Sequence, residues 1–223
     1  MNIHSFSRAG EDKLVLSLMT EFFKRKIEFC YIDVGTNHPI NYNDTYLLYK
    51  KKVKGILIEP NIKFNKLYNK IRPRDTICNS VISNDNKNVV FEHYNDSSQS
   101  AIKKKRTKKY LKIIKTEKFE TKTLDQILKN FNINPNKIQL VDIDTEGNEL
   151  DVLSGFNFDK YKPFLLKIEI KNLGFKNFKK NKIVKFLYKK GYILICKTLE
   201  DSFFVWKNSK FLKFLPKKYL TNL

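Results

Sequence analysis

Four short apolar segments, each with an acidic residue at or near its carboxyl end, constrain the fold of this chain more than any other feature. They cover residues 29–35, 55–60, 137–144 and 162–170, and the acidic residues are Asp33, Glu59, Asp142, Asp144 and Glu169. Apolar runs of this kind are typical of parallel strands, because helices cover both faces of a parallel sheet. We therefore expect a sheet whose carboxyl-terminal edge carries a concentration of carboxylates.

Segments with helical spacing of their apolar residues separate these strands. They cover residues 10–25, 43–52, 61–71, 123–128, 147–156 and 178–190. Further strands are expected at 75–83 and 89–94, and the runs 192–199 and 202–206 are close enough in sequence to form an antiparallel hairpin. This order of elements predicts an α/β fold with an open, doubly wound, mostly parallel sheet and a C-terminal hairpin.

The length of 223 residues suits a single domain. Within residues 1–223 we expect an N-terminal helical extension (1–26), a Rossmann-like core (27–208) and a basic variable segment (95–120) whose pattern predicts no regular element. The three cysteines form no C-x-x-C motif, which argues against a zinc site or a disulfide framework. No apolar stretch reaches the length of a membrane span, and the N-terminus lacks the apolar core of a signal peptide, so we expect a cytoplasmic protein.

The formal net charge of +21, from 44 Lys and Arg against 23 Asp and Glu, predicts attraction to anionic partners. Drift of surface positions toward lysine in an AT-rich genome is the simpler explanation of the excess. The densest cluster, KKKRTKK, begins at Lys103 and ends at Lys109. It is either a solvated loop or a patch that meets phosphate groups on a substrate or on an anionic membrane.

Ligands of doubly wound sheets bind at the carboxyl ends of the strands, near the point where the strand order reverses. Gly35 follows the first strand and Glu59 ends the second, which is the usual arrangement for a nucleotide whose ribose hydroxyls donate to an acid. The phosphate-binding G-x-G-x-x-G is absent, since Gly35 stands alone and is followed by His38 and Pro39. A ligand with a ribose and a positive centre but no pyrophosphate fits better, and S-adenosylmethionine is such a ligand.

Several motifs of this chain resemble the FkbM family of S-adenosylmethionine-dependent methyltransferases. In collinear order they are SFSRAGED (5–12), YIDVGTNHP (31–39), NDTY (43–46), GILIEPN (55–61), RPRD (72–75), TLDQIL (123–128), VDIDTEGNELDVL (141–153) and KIE (167–169). Two positions depart from the family pattern: Thr36 stands where alanine is usual, and Arg8 where glutamine is common. From Gly174 onward the likeness extends only to the expected secondary structure.

The resemblance implies a class I methyltransferase fold, with a seven-stranded sheet covered by helices on both faces. It also implies O-methylation, commonly of a sugar hydroxyl in a glycan or secondary metabolite, with S-adenosyl-L-methionine as cofactor. A basic chain would suit an acceptor sugar that carries a nucleotide or lipid phosphate, as in polysaccharide biosynthesis. Two alternatives remain open: an RNA-binding or RNA-methylating protein, although no stable nucleic-acid partner is expected, and a nicotinamide-dependent oxidoreductase. The oligomeric state is left open.

Seven residues are predicted to contact the cofactor: Asp33, Gly35, Asn37, Glu59, Asn79, Ser80 and Asp142. Glu59 is assigned to the ribose, because a buried strand that ends in an acid is costly unless the acid has a partner. Asp33 is assigned to the methionine end, with the alternative that it only organises the Gly35 turn, and Asn37 either holds the amino acid moiety or braces that turn. Asn79 and Ser80 are placed at the adenine edge by analogy with the fold.

Three residues are predicted to act in catalysis: Asp144, His38 and Glu146. Asp144 and Glu146 lie two positions apart and would share a face of an extended strand, where they orient a hydroxyl. No metal ligand is assigned, although Mg²⁺ at these carboxylates is left open. The alternative for Glu146 is that it caps the following helix. His38 has a suitable pKa for a general base, with the alternative that it packs against Pro39 and satisfies the turn.

Overall fold

A computed structural model describes residues 4–103, 110–174, 176 and 178–214 of the chain. Its main sheet has seven strands in the order β3-β2-β1-β7-β8-β10-β9. The strands are β1 (Cys30–Val34), β2 (Lys54–Ile58), β3 (Thr76–Cys78), β7 (Ile138–Ile143), β8 (Leu165–Glu169), β9 (Tyr192–Lys197) and β10 (Asp201–Trp206). All pairs among the first five are parallel, and β10 runs antiparallel to both β8 and β9. The predicted fold class, including the C-terminal hairpin, is confirmed.

Seven helices accompany the sheet in the described part of the chain. They are α1 (Glu11–Leu18), α2 (Thr20–Lys24), α3 (Tyr46–Lys50), α4 (Ile62–Ile71), α5 (Leu124–Asn130), α6 (Glu149–Ser154) and α7 (Lys182–Lys189). Side chains cap the N-termini of α4, α5 and α7. Asn61 accepts from Lys63 N, Thr123 forms a capping box with Gln126, and Asn181 accepts from Ile183 N. These caps satisfy backbone N–H groups that have no partner within the helix.

Alternate residues of the strands pack into two hydrophobic clusters, one on each face of the main sheet. Ile32, Ile56 and Val141 belong to the first, together with residues of α5, α6 and α7. Tyr31 and Leu57 belong to the second, where α1, α2, α3 and α4 contribute their apolar side chains. Because the side chains of a strand alternate between faces, a strand buried on both faces must be apolar at nearly every position. Val15 of α1 and Phe22 of α2 are among the buried members of the second cluster.

A second, three-stranded antiparallel sheet precedes β7. Its order is β5-β4-β6, with β4 at Asn88–Tyr94, β5 at Ala101–Ile102 and β6 at Ile113–Glu120. The strand predicted at 89–94 exists but lies outside the main sheet. The basic segment at 95–120, for which no regular element was predicted, supplies both partners of β4. The pattern of β6 is hidden because most of its side chains are exposed.

Two other elements differ from the sequence-based prediction. The helix expected over 10–25 is broken at Met19, which ends α1 and precedes α2. The strand expected over 75–83 is only three residues long, and the chain beyond Cys78 forms the edge of a cavity. Within the described residues, no helix is both long enough and apolar enough to cross a membrane.

Candidate functional site

A cavity of about 710 Å³ lies at the carboxyl ends of the central parallel strands. From β1 the chain crosses to β2 on one side, whereas β7, on the other side of β1, leads to β8, so the strand order reverses between β1 and β7. Asp33, Glu59, Asp144 and Glu169 lie within one residue of the carboxyl ends of β1, β2, β7 and β8, and all four line this cavity. The predicted gathering of acids from four strands at one edge is thus present.

The turn after β1 brings the backbone of two strands unusually close. Gly35 has a φ of 83°, and a Cβ on it would lie 1.7 Å from the carbonyl oxygen of Asp144. Its N–H donates to the carbonyl of Ile58, while the N–H of Asp144 donates to that of Val34. Any side chain at Gly35 would push β1 and β7 apart, because an L-residue disfavours this φ and the space is already filled.

The cavity wall is acidic although the chain is basic. Among the described residues, eleven acids line it, and the basic residues are Arg8, which pairs with Glu200, and the weakly basic His38. The acids are Glu11, Asp33, Asp44, Glu59, Asp96, Asp142, Asp144, Glu146, Glu169, Glu200 and Asp201. A wall of this charge favours a cationic ligand and opposes one with phosphates.

Asp33 is held in a buried polar network beneath the Gly35 turn. Its Oδ2 accepts from the hydroxyls of Thr36 (3.1 Å) and Thr45 (2.6 Å). Burial raises the pKa of this carboxyl, although the Thr45 hydrogen bond and the positive charge of Arg72 lower it in part. Asp33 therefore organises the Gly35 turn, which was the alternative to a role at the methionine end of the cofactor. It also lines the cavity.

Arg72 is the centre of that network. Its guanidinium, in a residue only 1% exposed, donates to Asn43 Oδ1, the Tyr31 hydroxyl, Thr45 Oγ1 and Asp75 Oδ2 at distances from 2.6 to 3.1 Å. A buried charge is tolerated only when its donors are satisfied, and here four are. The network joins the end of α4 to the segment that follows β1 and so fixes the floor of the site.

Glu59 is buried at the end of β2 and binds the loop opposite it. Its Oε2 accepts from the Asn37 N–H and its Oε1 from the Asn61 N–H, each at 2.8 Å. Burial raises its pKa to about 7, despite these two hydrogen bonds. Each carboxylate oxygen has a second lone pair, so ribose hydroxyls remain possible donors. The ribose assignment stays a prediction.

The remaining predicted cofactor residues fall into two groups. Gly35, Asn37, Ser80 and Asp142 line the cavity. The Asn79 side chain does not, because its Nδ2 donates to the carbonyls of Glu59 and Pro60 and thereby braces the loop after β2. Asn79 is thus a support for the cavity edge in this structure.

Lys167 is a fully buried lysine in the middle of β8. Its Nζ lies 2.6 Å from Asp44, 2.8 Å from Asp201 and 3.0 Å from Asp142, three cavity-lining carboxylates from separate parts of the chain. The pKa of Lys167 is raised well above its usual value, since these carboxylates outweigh the effect of burial. Burial in turn raises the pKa of Asp44 to about 7. Asp142 is therefore committed to an ion pair as well as to the cavity wall.

Asp144 lies in a group of three carboxylates with Glu149 and Glu169, whose nearest oxygens are within 4.8 Å of one another. Partial desolvation by the surrounding cavity wall, then the charge of Glu169, raises the pKa of Asp144 above its usual value, although its side chain is open to solvent on the cavity side. Glu149 accepts from the N–H groups of Thr145 and Gly147, and Glu169 pairs with Lys171. Carboxylate oxygens suit Mg²⁺, but two of these three already have protein partners.

Glu146 has a φ of 57° and faces Lys171 and Gln99. Glu149 accepts the N–H groups of Thr145 and Gly147, which precede α6, and the capping alternative for Glu146 stays a prediction. Asp144 and Glu146 both line the cavity, as predicted.

His38 lines the cavity, but its Nδ1 is occupied. It accepts from the backbone N–H groups of Ile40 (3.1 Å) and Asn41 (3.0 Å). Burial lowers its pKa, so the ring is neutral near pH 7 and carries its proton on Nε2. In this arrangement His38 has no lone pair left for a substrate proton, which favours its role in the turn.

Sequence reasoning missed Arg72 and Lys167, two buried cations that organise the site. Lys167 had a usable signal, since a lysine within a strand that is apolar on both faces must find carboxylates. Arg72 had a weaker one, because Asp75 lies three residues away in the RPRD motif but Tyr31, Asn43 and Thr45 are distant in sequence. Of the basic cluster that starts at Lys103, residues 104–109 lie outside the described residues.

The family model of the methyltransferase FkbM domain matches residues 33–194, from the last two residues of β1 into β9, and this range contains Asp33, Glu59, Asp142, Asp144 and Glu169. A search of curated proteins finds no significant match to the chain.

Proposed function

This chain belongs to the FkbM methyltransferase family, and from that premise we propose that it is an S-adenosylmethionine-dependent O-methyltransferase. We propose a sugar hydroxyl as the acceptor, in a glycan, a nucleotide-sugar or a lipid-linked saccharide. Membership of the family makes the protein a methyltransferase, and S-adenosylmethionine is the usual cofactor of such enzymes. The cofactor of this chain and the acceptor class are the proposed part.

The acidic cavity at the strand switch point is the observation that carries the proposal. S-adenosylmethionine has a sulfonium and an ammonium group, and both are favoured by a wall of carboxylates. The cavity volume of about 710 Å³ lies in the usual range for cofactor sites. The same wall opposes the pyrophosphate of a nicotinamide cofactor inside the cavity, so that alternative is less favoured. The phosphates of an RNA or of a phosphorylated acceptor sugar would have to stay outside the cavity.

The residues at the cavity edge fit the parts of this cofactor. Glu59 would accept from the ribose hydroxyls, and the Gly35 turn with Asn37 would face the methionine end, where Asp33 supplies negative charge. Ser80 lies at the edge beyond β3 that is assigned to adenine. When bound, the cofactor supplies an electrophilic methyl group on sulfur.

Asp144 is the residue we assign to the acceptor hydroxyl. As the new O–C bond forms and the S–C bond breaks, the hydroxyl proton must pass to a base, because a free hydroxyl is a weak nucleophile. A carboxyl whose pKa is raised by burial and by Glu169 takes up a proton more readily than an ordinary one. Among the described residues, no hydrogen-bond donor occupies the Asp144 carboxylate.

Calorimetry with S-adenosylhomocysteine and with NAD tests the cofactor assignment. We expect saturable binding of S-adenosylhomocysteine and none of NAD. Absence of S-adenosylhomocysteine binding at high micromolar concentration would contradict the proposal. The acceptor class is tested next, by incubation with S-adenosylmethionine and a panel of free, nucleotide-linked and lipid-linked sugars, with mass spectrometry of the products.

A further inference from the structure

The outer end of the three-stranded sheet carries an exposed strip that the methyl-transfer site does not use. We name it the β6 strip and define it as Lys103, Tyr110, Lys112, Ile113, Ile114 and Lys118. Its apolar members are strongly exposed: Tyr110 by 62%, Ile113 by 52% and Ile114 by 66%. Seven large hydrophobic side chains are exposed in the described chain, and three of them lie between residues 110 and 114.

The two isoleucines show that this end of β6 projects from the molecule. Successive side chains of a strand point to opposite faces of the sheet. Since Ile113 and Ile114 are both exposed, both faces of the strand are open to solvent at this end. Among the described strands, β6 is an edge strand that pairs with β4 alone. Exposed neighbouring apolar side chains of this kind mark interaction sites.

The rest of the strip is cationic. Lys103, Lys112 and Lys118 are exposed, and none of them forms an ion pair with a carboxylate in the part of the chain that is described. Glu117, the nearest acid in sequence to Lys112 and Lys118, is already paired with His93 and Lys115. The partner of the strip must therefore offer both negative charge and an apolar region.

The strip borders the mouth of the cavity. Tyr110 lines the cavity while most of its side chain is in solvent, and Ile102, next to Lys103, lines it as well. A surface that covers the strip would thus lie beside the opening through which an acceptor enters.

We propose that the protein docks on anionic lipid bilayers through the β6 strip. Lysines meet the anionic headgroups, and the isoleucines and Tyr110 enter the boundary between headgroups and acyl chains, as basic and apolar residues do in interfacial segments. RNA would use the lysines but offers no apolar phase for Ile113 and Ile114. A second copy of the chain, paired edge to edge through β6, would bring like-charged lysines together.

Flotation with phosphatidylcholine vesicles, with and without phosphatidylglycerol, tests the proposal at ~0.15 M salt. The measurement needs neither cofactor nor acceptor, so its failure is independent of the proposed methyl transfer. We expect binding only with phosphatidylglycerol. Ile114→Ser should weaken it about tenfold, from the loss of one buried isoleucine. Lys112→Gln with Lys118→Gln should weaken it by about fivefold per lysine.

Matched controls separate the strip from net charge. Ile62→Ser changes an isoleucine that is 46% exposed on α4, and Lys185→Gln with Lys189→Gln removes two exposed charges from α7. These variants should bind vesicles like the wild type, and far-UV circular dichroism should show that all variants are folded. The proposal is overturned if the wild type does not bind anionic vesicles, or if the controls lose as much affinity as the strip variants. Unchanged vesicle binding of Ile114→Ser overturns it too. So does tight binding of single-stranded RNA that abolishes vesicle binding and is equally strong for Ile114→Ser and the wild type.

Discussion

Asp144 and His38 face the same cavity, yet their side chains differ in what they can accept. The carboxylate of Asp144 has no donor among the described residues, and its pKa is raised by burial and by Glu169. The lone pair of His38 Nδ1 is used by two backbone N–H groups. A base needs a free lone pair before its pKa matters, so the geometry favours Asp144.

Asp144→Asn should therefore lower kcat about 10²–10⁴-fold, the usual contribution of a general base. S-adenosylhomocysteine affinity should stay near that of the wild type. In the wild type, kcat should rise with pH over a range above that of an ordinary carboxyl, because the pKa of Asp144 is raised, and this limb should be absent in Asp144→Asn. His38→Ala should retain most of its kcat. A fully active Asp144→Asn enzyme, measured by initial rates, would refute the assignment.

Glu59 gives a prediction about binding alone. Glu59→Gln keeps the size of the side chain but removes the charge that ribose hydroxyls would meet, so S-adenosylhomocysteine affinity should fall by about 1.5–3 kcal/mol. Because burial raises the pKa of Glu59 to about 7, affinity of the wild type should also rise as pH increases from 6 to 8. Calorimetry checks both, with Glu28→Gln, an exposed acid paired with Lys137, as control. Equal affinities of the Glu59→Gln variant and the wild type would rule out the ribose assignment.

At the scale of elements, the sequence predicted the strands that have a local apolar pattern. The strands that end at Asp33, Glu59, Asp144 and Glu169 were recognisable because burial on both faces excludes polar residues. The three-stranded sheet was not recognised as such, because β6 is an exposed edge strand and pairs with β4 at a long sequence distance, as in the pair Asn88 and Glu120. Lys167 depends on Asp44, Asp142 and Asp201, partners that only the folded chain brings together.

The close contact between the turn after β1 and the end of β7 leaves no room for a Cβ atom at Gly35. Gly35→Ala places a Cβ against the Asp144 carbonyl at a φ of 83°, so we expect a loss of unfolding free energy of at least ~3 kcal/mol. Gly174→Ala is the matched control: nothing lies within 4 Å of its Cβ position and its φ is not positive, so its effect should be within about 1 kcal/mol. Urea denaturation of both variants measures the difference. Similar stabilities would contradict the close approach seen at Gly35.

At the scale of the whole molecule, charge is segregated. The chain carries +21, yet eleven of its 23 acids line one cavity. Burial raises the pKa values of six of these acids, which are Asp33, Asp44, Glu59, Asp142, Asp144 and Glu169, while the lysines outside repel one another. The two regions serve different partners: the cavity suits a cationic group, and the basic exterior attracts anionic surfaces.

This segregation predicts an unusual dependence of stability on pH. Burial raises the pKa values of Asp44, Glu59 and Glu169 to about 7, from 3.8 for the aspartate and 4.5 for the glutamates. Between about pH 4.5 and 7 the folded chain therefore binds more protons than the unfolded chain. Stability must fall as pH rises through this window, because the free energy of unfolding decreases wherever the folded state holds the extra protons.

We expect the free energy of unfolding to fall by about 2 kcal/mol or more between pH 5 and pH 8, the opposite of the usual trend for paired carboxylates. Urea denaturation at ~0.5 M salt measures it with the repulsion of the surface lysines screened. Glu169→Gln, which cannot ionise, should lose less stability over the same range than the wild type, so the two curves should diverge toward pH 8. Glu28→Gln should follow the wild type, since its carboxylate is exposed and its pKa is lowered by Lys137. Stability that rises from pH 5 to pH 8 would show that these cavity acids are ionised in the folded protein at neutral pH. The cavity wall would then carry more negative charge than the raised pKa values imply.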